Sequence, residues 1–192
     1  MARKSLGKRE IEAGFRDLAL RARKERKLFE ISVYGGSALV LAFDFRSTTR
    51  DVDVVIHDDA RTLRRYAADI AKARNWDPNW LNDAVKGFVS AQSARGLRHF
   101  RSYPDEKEPG LRVMVPTAEY LLAMKCMAMR IDAADKSSDQ ADIHHLMKLT
   151  NRTTYEQVID IVQQFYPAAL ITPRTDFGIR QIVDAFGRSN GK

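Results

Sequence analysis

The sequence predicts an α+β chain, with a small α/β core reaching about residue 115 and a helical C-terminal part after it. Three observations lead there. Short segments rich in β-branched and aromatic residues, at 30–34 and 51–56, alternate with helical patterns in the first half. Residues 97–103 and 111–115 read as two more strands, joined by an acidic turn over 104–110. After Pro116 the extended pattern stops and helical segments follow. The chain thus divides into a basic N-terminal helix over 1–29, a core over 30–115 and a helical region over 116–192.

Each element has a local cause. Ile11, Phe15, Leu18 and Ala22 recur at i, i+4, i+7 and i+11, one apolar face of a helix, while Arg9, Arg16 and Arg23 share another. Residues 30–34 (EISVY) form a strand that Gly35-Gly36 breaks, and 37–45 read as a short helix. A polar loop over 46–49 (RSTT) leads into the strand 51–56 (DVDVVI). Asp58 and Asp59 supply an N-cap region for a helix over 60–74. Residues 75–82 are irregular, and their tryptophans, Trp76 and Trp80, read first as packing groups and second as base-stacking platforms. Thr117 caps a helix reaching about residue 130, with Glu119 in its first turn. Three more helical segments are expected near 139–149, 154–165 and 176–187.

Composition narrows the function classes. The apolar run at 38–43 falls far short of the roughly 20 residues a membrane span needs, and the basic N-terminus has no apolar stretch of a secretory signal. A cytoplasmic location fits. The single cysteine, Cys126, reads as a buried thiol. The net charge of +7 is unevenly placed: ten basic and four acidic residues over 1–27 carry most of it. That helix is either a docked surface helix with a solvated basic side or a stripe that contacts nucleic-acid phosphates.

The chemistry concentrates around Gly35-Gly36-Ser37 and Asp51-Val52-Asp53. Alternate residues of a strand point to one face, roughly 6.5–7 Å apart. Asp51 and Asp53 can therefore converge on a hard divalent cation such as Mg²⁺, and two such ions support in-line phosphoryl displacement. Gly35 and Gly36 let a backbone approach a phosphate, the following helix offers free N–H groups, and Ser37 adds a hydroxyl. Lys125 is the sole charge within 120–129 and is either a snorkelling lysine or an ammonium aimed at phosphates. Asp139 and Asp142 share a helix face at i, i+3, as capping acids or as site residues, with Asp142 the better site candidate. Arg46 and Arg50 flank the polar loop and read as solvated residues or as phosphate and RNA contacts. The four histidines, at 57, 99, 144 and 145, lack ligand spacing, and neither a P-loop nor a G-x-S-x-G motif is present.

Strand, Gly-Gly-Ser, helix, loop and Asp-Val-Asp, with 13 residues between Ser37 and Asp51, resembles the signature of the DNA polymerase β-like nucleotidyltransferase superfamily. More narrowly, the chain resembles the AbiEii-like nucleotidyltransferase toxins and related minimal nucleotidyltransferases. Trp80-Leu81-Asn82-Asp83 and the stretch 120–143, with Lys125, Asp139 and Asp142, extend the likeness over roughly 30–150. The resemblance implies a polymerase β-like core with a small mixed sheet and flanking helices. It implies two metal ions at Asp51 and Asp53, with NTP phosphates over Gly36-Ser37. It also implies transfer to a tRNA 3′ end and, through the toxins, a cognate antitoxin partner. Many superfamily members carry a third metal-binding carboxylate on a later strand. The candidate strands here, LRHFRSY and LRVMV, contain none; Asp139 or Asp142 substitutes, or two carboxylates suffice. Two other readings stay open: nucleotidylation of a protein or small molecule, and a binding module without catalysis.

Overall fold

The computed structural model describes residues 5–129 and 136–190, and the chain is mixed α and β. It forms two compact units. One comprises Met1–Gly87 with Arg98–Pro116, and the other Phe88–Leu97 with Thr117–Lys192.

The first unit is built on a five-stranded mixed sheet. Its strands are β2 (Phe29–Val33), β4 (Val52–Ile56), β5 (Leu81–Asn82), β6 (Leu97–Tyr103) and β7 (Leu111–Pro116), in the order β5-β4-β2-β7-β6. β2 runs antiparallel to β4 and parallel to β7, and β4 runs parallel to β5. A separate two-stranded pair joins β1 (Leu6–Gly7) to β3 (Thr48–Thr49), just ahead of Asp51. Burial follows the pleat: Val52, Val54 and Ile56 are buried, while Asp53 and Val55 point the other way and stay half-buried.

Helix α1 (Lys8–Lys24) lays the expected stripe of Ile11, Phe15, Leu18 and Ala22 into the core, each fully buried. Burying side chains of this size contributes on the order of 2 kcal/mol each for the larger ones. The other side of α1 is a web of ion pairs. Lys8 reaches Asp44 at 2.9 Å and Arg21 reaches Asp69 at 2.9 Å. Arg23 pairs with Asp105 and Glu108 of the acidic turn, and Lys27 with Asp59 at 3.3 Å. Much of the excess charge read from the sequence is therefore neutralised locally, while Arg9 and Arg16 remain exposed. Helix α3 (Ala60–Arg74) begins at Asp59, whose carboxylate accepts from the Thr62 N–H. Trp80 is buried, meets Trp76 edge to face and donates its indole N–H to the Ala67 carbonyl. The tryptophans are core, not a base platform.

The second unit is helical: α4 (Ala118–Ala128), α5 (Lys136–Leu149), α6 (Tyr155–Phe165) and α7 (Pro173–Asn190). Thr117 caps α4 by accepting from Tyr120, and Thr154 with Gln157 forms a capping box on α6. Tyr120 stacks on Phe165 and accepts from the Ser90 N–H, which ties the segment before β6 to these helices. Cys126 is buried on α4, and burial pushes its thiol up to about 12. Among the described residues no helix is long and apolar enough to cross a membrane.

Candidate functional site

The antiparallel register of β2 and β4 builds the site. Val33 lies opposite Val54, and one step on, the Tyr34 N–H donates to the Asp53 carbonyl at 2.9 Å. The chain leaving β2 must therefore turn directly beside Asp53. It turns at Gly35, with φ of 59°, a left-handed conformation that glycine adopts without cost. A Cβ on Gly35 would lie 2.6 Å from Asp53 Oδ2, so the carboxylate rests on the glycine itself.

The turn departs from the sequence reading in one respect. Helix α2 (Gly35–Ala42) starts at the glycines rather than after them, and the Ala38 N–H already donates to the Tyr34 carbonyl at 3.1 Å. Tyr34, the N-cap, makes no side-chain cap, so Gly35, Gly36 and Ser37 occupy the first turn, where N–H groups have no carbonyl behind them. The Ser37 hydroxyl is buried and donates to the Tyr34 carbonyl at 2.7 Å. Ser37 thus presents its backbone to this end of the helix, while its side chain braces the turn.

Asp51 and Asp53 stand two residues apart at the start of β4, both half-buried. Asn82 Nδ2 donates to Asp51 Oδ2 at 3.1 Å, because β5 pairs with β4 in the register Val52–Leu81 and Asp53–Asn82. The Thr49 hydroxyl donates to the Asp51 carbonyl at 3.1 Å. Above Gly36, a Cβ would meet Thr49 Oγ1 at 3.0 Å and Arg46 Nη1 at 3.3 Å. The first unit thus gathers Gly35, Gly36, Asp51, Asp53, Asn82, Thr49 and Arg46 around one turn. The sequence did not assign roles to Asn82 and Thr49: their places depend on two-residue strands that carry no readable periodicity.

The donor set suits a hard divalent cation. It offers two carboxylates on alternate positions, one steadied by an amide and the other resting on a glycine. Among the described residues no three His, Cys, Asp or Glu side chains gather into a metal-binding group. The strand beside β2 places Met114 opposite Ser32.

The second unit holds the other predicted site residues and brings them together. Lys125 Nζ lies 3.0 Å from Asp139 Oδ1 and 2.7 Å from Asp142 Oδ2. The lysine side chain is 14% exposed, Asp139 34% and Asp142 1%. The ammonium is therefore clamped inside the helices by two carboxylates, and it does not snorkel to the surface. Of the histidines, His57 Nε2 lies 2.8 Å from the buried Ser32 Oγ, and His144 bonds the Ile182 carbonyl. Burial pushes the His145 imidazole below its ordinary value.

No family model matches the chain, and no curated protein matches it. Among solved structures it is similar to an antigenic nucleotidyltransferase-like protein from Paracoccidioides brasiliensis, at 15% identity over 95% of each chain, with a TM-score of 0.47.

Proposed function

We propose that this protein is a Mg²⁺-dependent nucleotidyltransferase of the polymerase β-like superfamily, akin to the AbiEii-like toxins. It would move a nucleoside monophosphate from an NTP to an acceptor hydroxyl and release pyrophosphate. The observation that carries the reading is the Asp53 carboxylate lying over Gly35 at the start of α2, with Asp51 beside it and held by Asn82. Carboxylates and a helix start meet there, as the binding of a metal–triphosphate requires.

Each residue then has a part. Asp51 and Asp53 would hold two Mg²⁺ ions, which supply charge neutralisation for the triphosphate and a more acidic acceptor hydroxyl. Gly35, Gly36 and Ser37 would present backbone N–H groups to phosphate oxygens. Asn82 keeps the Asp51 carboxylate turned toward the site. The resemblance adds Lys125 as a triphosphate-binding ammonium, with Asp142 as a catalytic and Asp139 as a nucleotide-binding carboxylate. The same resemblance, with exposed Arg9 and Arg16, favours RNA as acceptor, the tRNA 3′ end in particular, in a cytoplasmic toxin–antitoxin setting.

A second reading has its own support. Neither β6 nor β7 carries a carboxylate, and Met114 stands opposite Ser32. This favours a module that binds a nucleotide without transferring it. One experiment separates the readings. The protein is incubated with Mg²⁺, each labelled NTP in turn, and either total tRNA or a protein fraction. Label on tRNA is the expected result. Label on protein moves the acceptor to a side-chain hydroxyl. Binding of NTP with no label transferred supports the module and removes the enzyme.

A further inference from the structure

Resting on the nucleotidyltransferase reading, we infer that Arg46 binds the triphosphate over Gly36. The residue comes from the loop between α2 and β3, and its Nη1 lies 3.3 Å from where a Gly36 Cβ would stand. Arg46 is half-buried there, whereas Arg50, the other arginine beside the loop, is exposed. Asp53 lies over Gly35 and Arg46 over Gly36, so a carboxylate and a guanidinium cover successive residues of one helix start. A metal–triphosphate needs this combination. The carboxylate serves the cation, and the guanidinium serves the phosphate oxygens that the cation leaves uncovered. A guanidinium meets two such oxygens as a planar fork and keeps its charge at any working pH.

The loop that presents Arg46 is anchored at both ends. Thr48 and Thr49 pair with Gly7 and Leu6, and the Thr49 hydroxyl bonds the Asp51 carbonyl. Ahead of Arg46, Asp44 is held by Lys8 at 2.9 Å. A guanidinium on such a loop loses little freedom when it takes a ligand, which favours affinity. Glycine at 36 is part of the same design, since a methyl there would press on both Thr49 and Arg46.

A purely structural arginine would balance the charge of Asp53 and change stability without changing phosphate affinity. The test is therefore calorimetric titration of the full chain with inorganic triphosphate and Mg²⁺ at low salt, with the four NTPs as further probes. Melting temperatures are recorded alongside. Arg46→Gln should weaken binding about 10- to 100-fold, the loss of a charge-assisted pair. Arg46→Lys should recover part of the loss, because it restores the charge without the fork. Gly36→Ala should weaken binding as well, and it decides the matter together with Arg46→Lys should Arg46→Gln fail to fold. Wild-type affinity in a folded Arg46→Gln, or in both of the other variants, overturns the inference and leaves the enzyme reading standing. A wild type that binds neither inorganic triphosphate nor any NTP overturns both.

Discussion

The two units each carry a pair of aspartates, and burial sets the pairs apart. Asp51 and Asp53 stand half-buried at a strand end, and around them gather an amide, a hydroxyl, two glycines and the Arg46 guanidinium. Asp139 and Asp142 close on Lys125 inside a helical bundle, and Asp142 is fully buried. In the first pair, two like charges share one strand edge, and a bound divalent cation would relieve their repulsion. In the second, a lysine ammonium lies between the carboxylates. The contrast teaches that acidic spacing alone does not set the surroundings of a carboxylate pair; the neighbouring groups do.

The largest expected effect breaks the internal cluster. Lys125→Met removes the ammonium that lies between two carboxylates, one of them fully buried, and should cost about 3–5 kcal/mol by denaturant unfolding. Adding Asp142→Leu should recover part of that loss, because it removes the fully buried carboxylate and leaves only the partly exposed one of Asp139. An unchanged midpoint in the single variant would mean that the cluster contributes nothing to the fold. Next comes the glycine turn. Gly35→Ala forces an alanine into a left-handed conformation and sets its methyl against Asp53. A loss of about 1–2 kcal/mol is expected from the backbone alone, together with loss of transfer activity. Wild-type activity would show that Asp53 need not rest on the turn.

A smaller effect sharpens the contrast. Asn82→Ala should reduce transfer about 10-fold while the melting temperature changes little, since it frees the Asp51 carboxylate without uncovering a core group. The smallest effect is electrostatic and remote from either pair. Hydrogen bonds from Thr62 hold the Asp59 carboxylate at about 2, below the 3.8 expected of an unperturbed one. Its stabilisation is thus complete above about pH 4 and lost as the pH falls toward about 2. Asp59→Asn should narrow the gap from wild type in melting temperature over that window, and a gap independent of pH would contradict the assignment.

Much of this was legible in the sequence, for physical reasons. Where an amphipathic stripe or a side-chain cap decides, the reading and the structure agree. The stripe Ile11, Phe15, Leu18, Ala22 is buried, and Asp59 opens a helix over Ala60–Arg74. Where a strand pair or a tertiary partner decides, the sequence was mute. The strands of Leu6–Gly7, Thr48–Thr49 and Leu81–Asn82 are two residues each, too short for alternation to appear. Their pairing is what brings Thr49 and Asn82 to Asp51. Gly35-Gly36 looked like a strand breaker and proved to be a helix start, because the carbonyl of Tyr34 receives the Ala38 N–H. The resemblance grouped Lys125 with Asp139 and Asp142, but their contact was not legible, since it needs α4 and α5 to pack.

The most direct test of the account places stability and activity of Asp53→Ala side by side. Wild type and variant, purified alike, are compared for melting temperature and for Mg²⁺-dependent transfer of labelled nucleotide to tRNA. The expected result is a melting temperature equal to or above that of wild type, with transfer lowered more than about 100-fold, beyond the loss typical of a residue that only orients a ligating group. Transfer at the wild-type rate, or a collapse of the fold, would contradict it: Asp53 would then be a structural residue, and the chemistry would lie elsewhere.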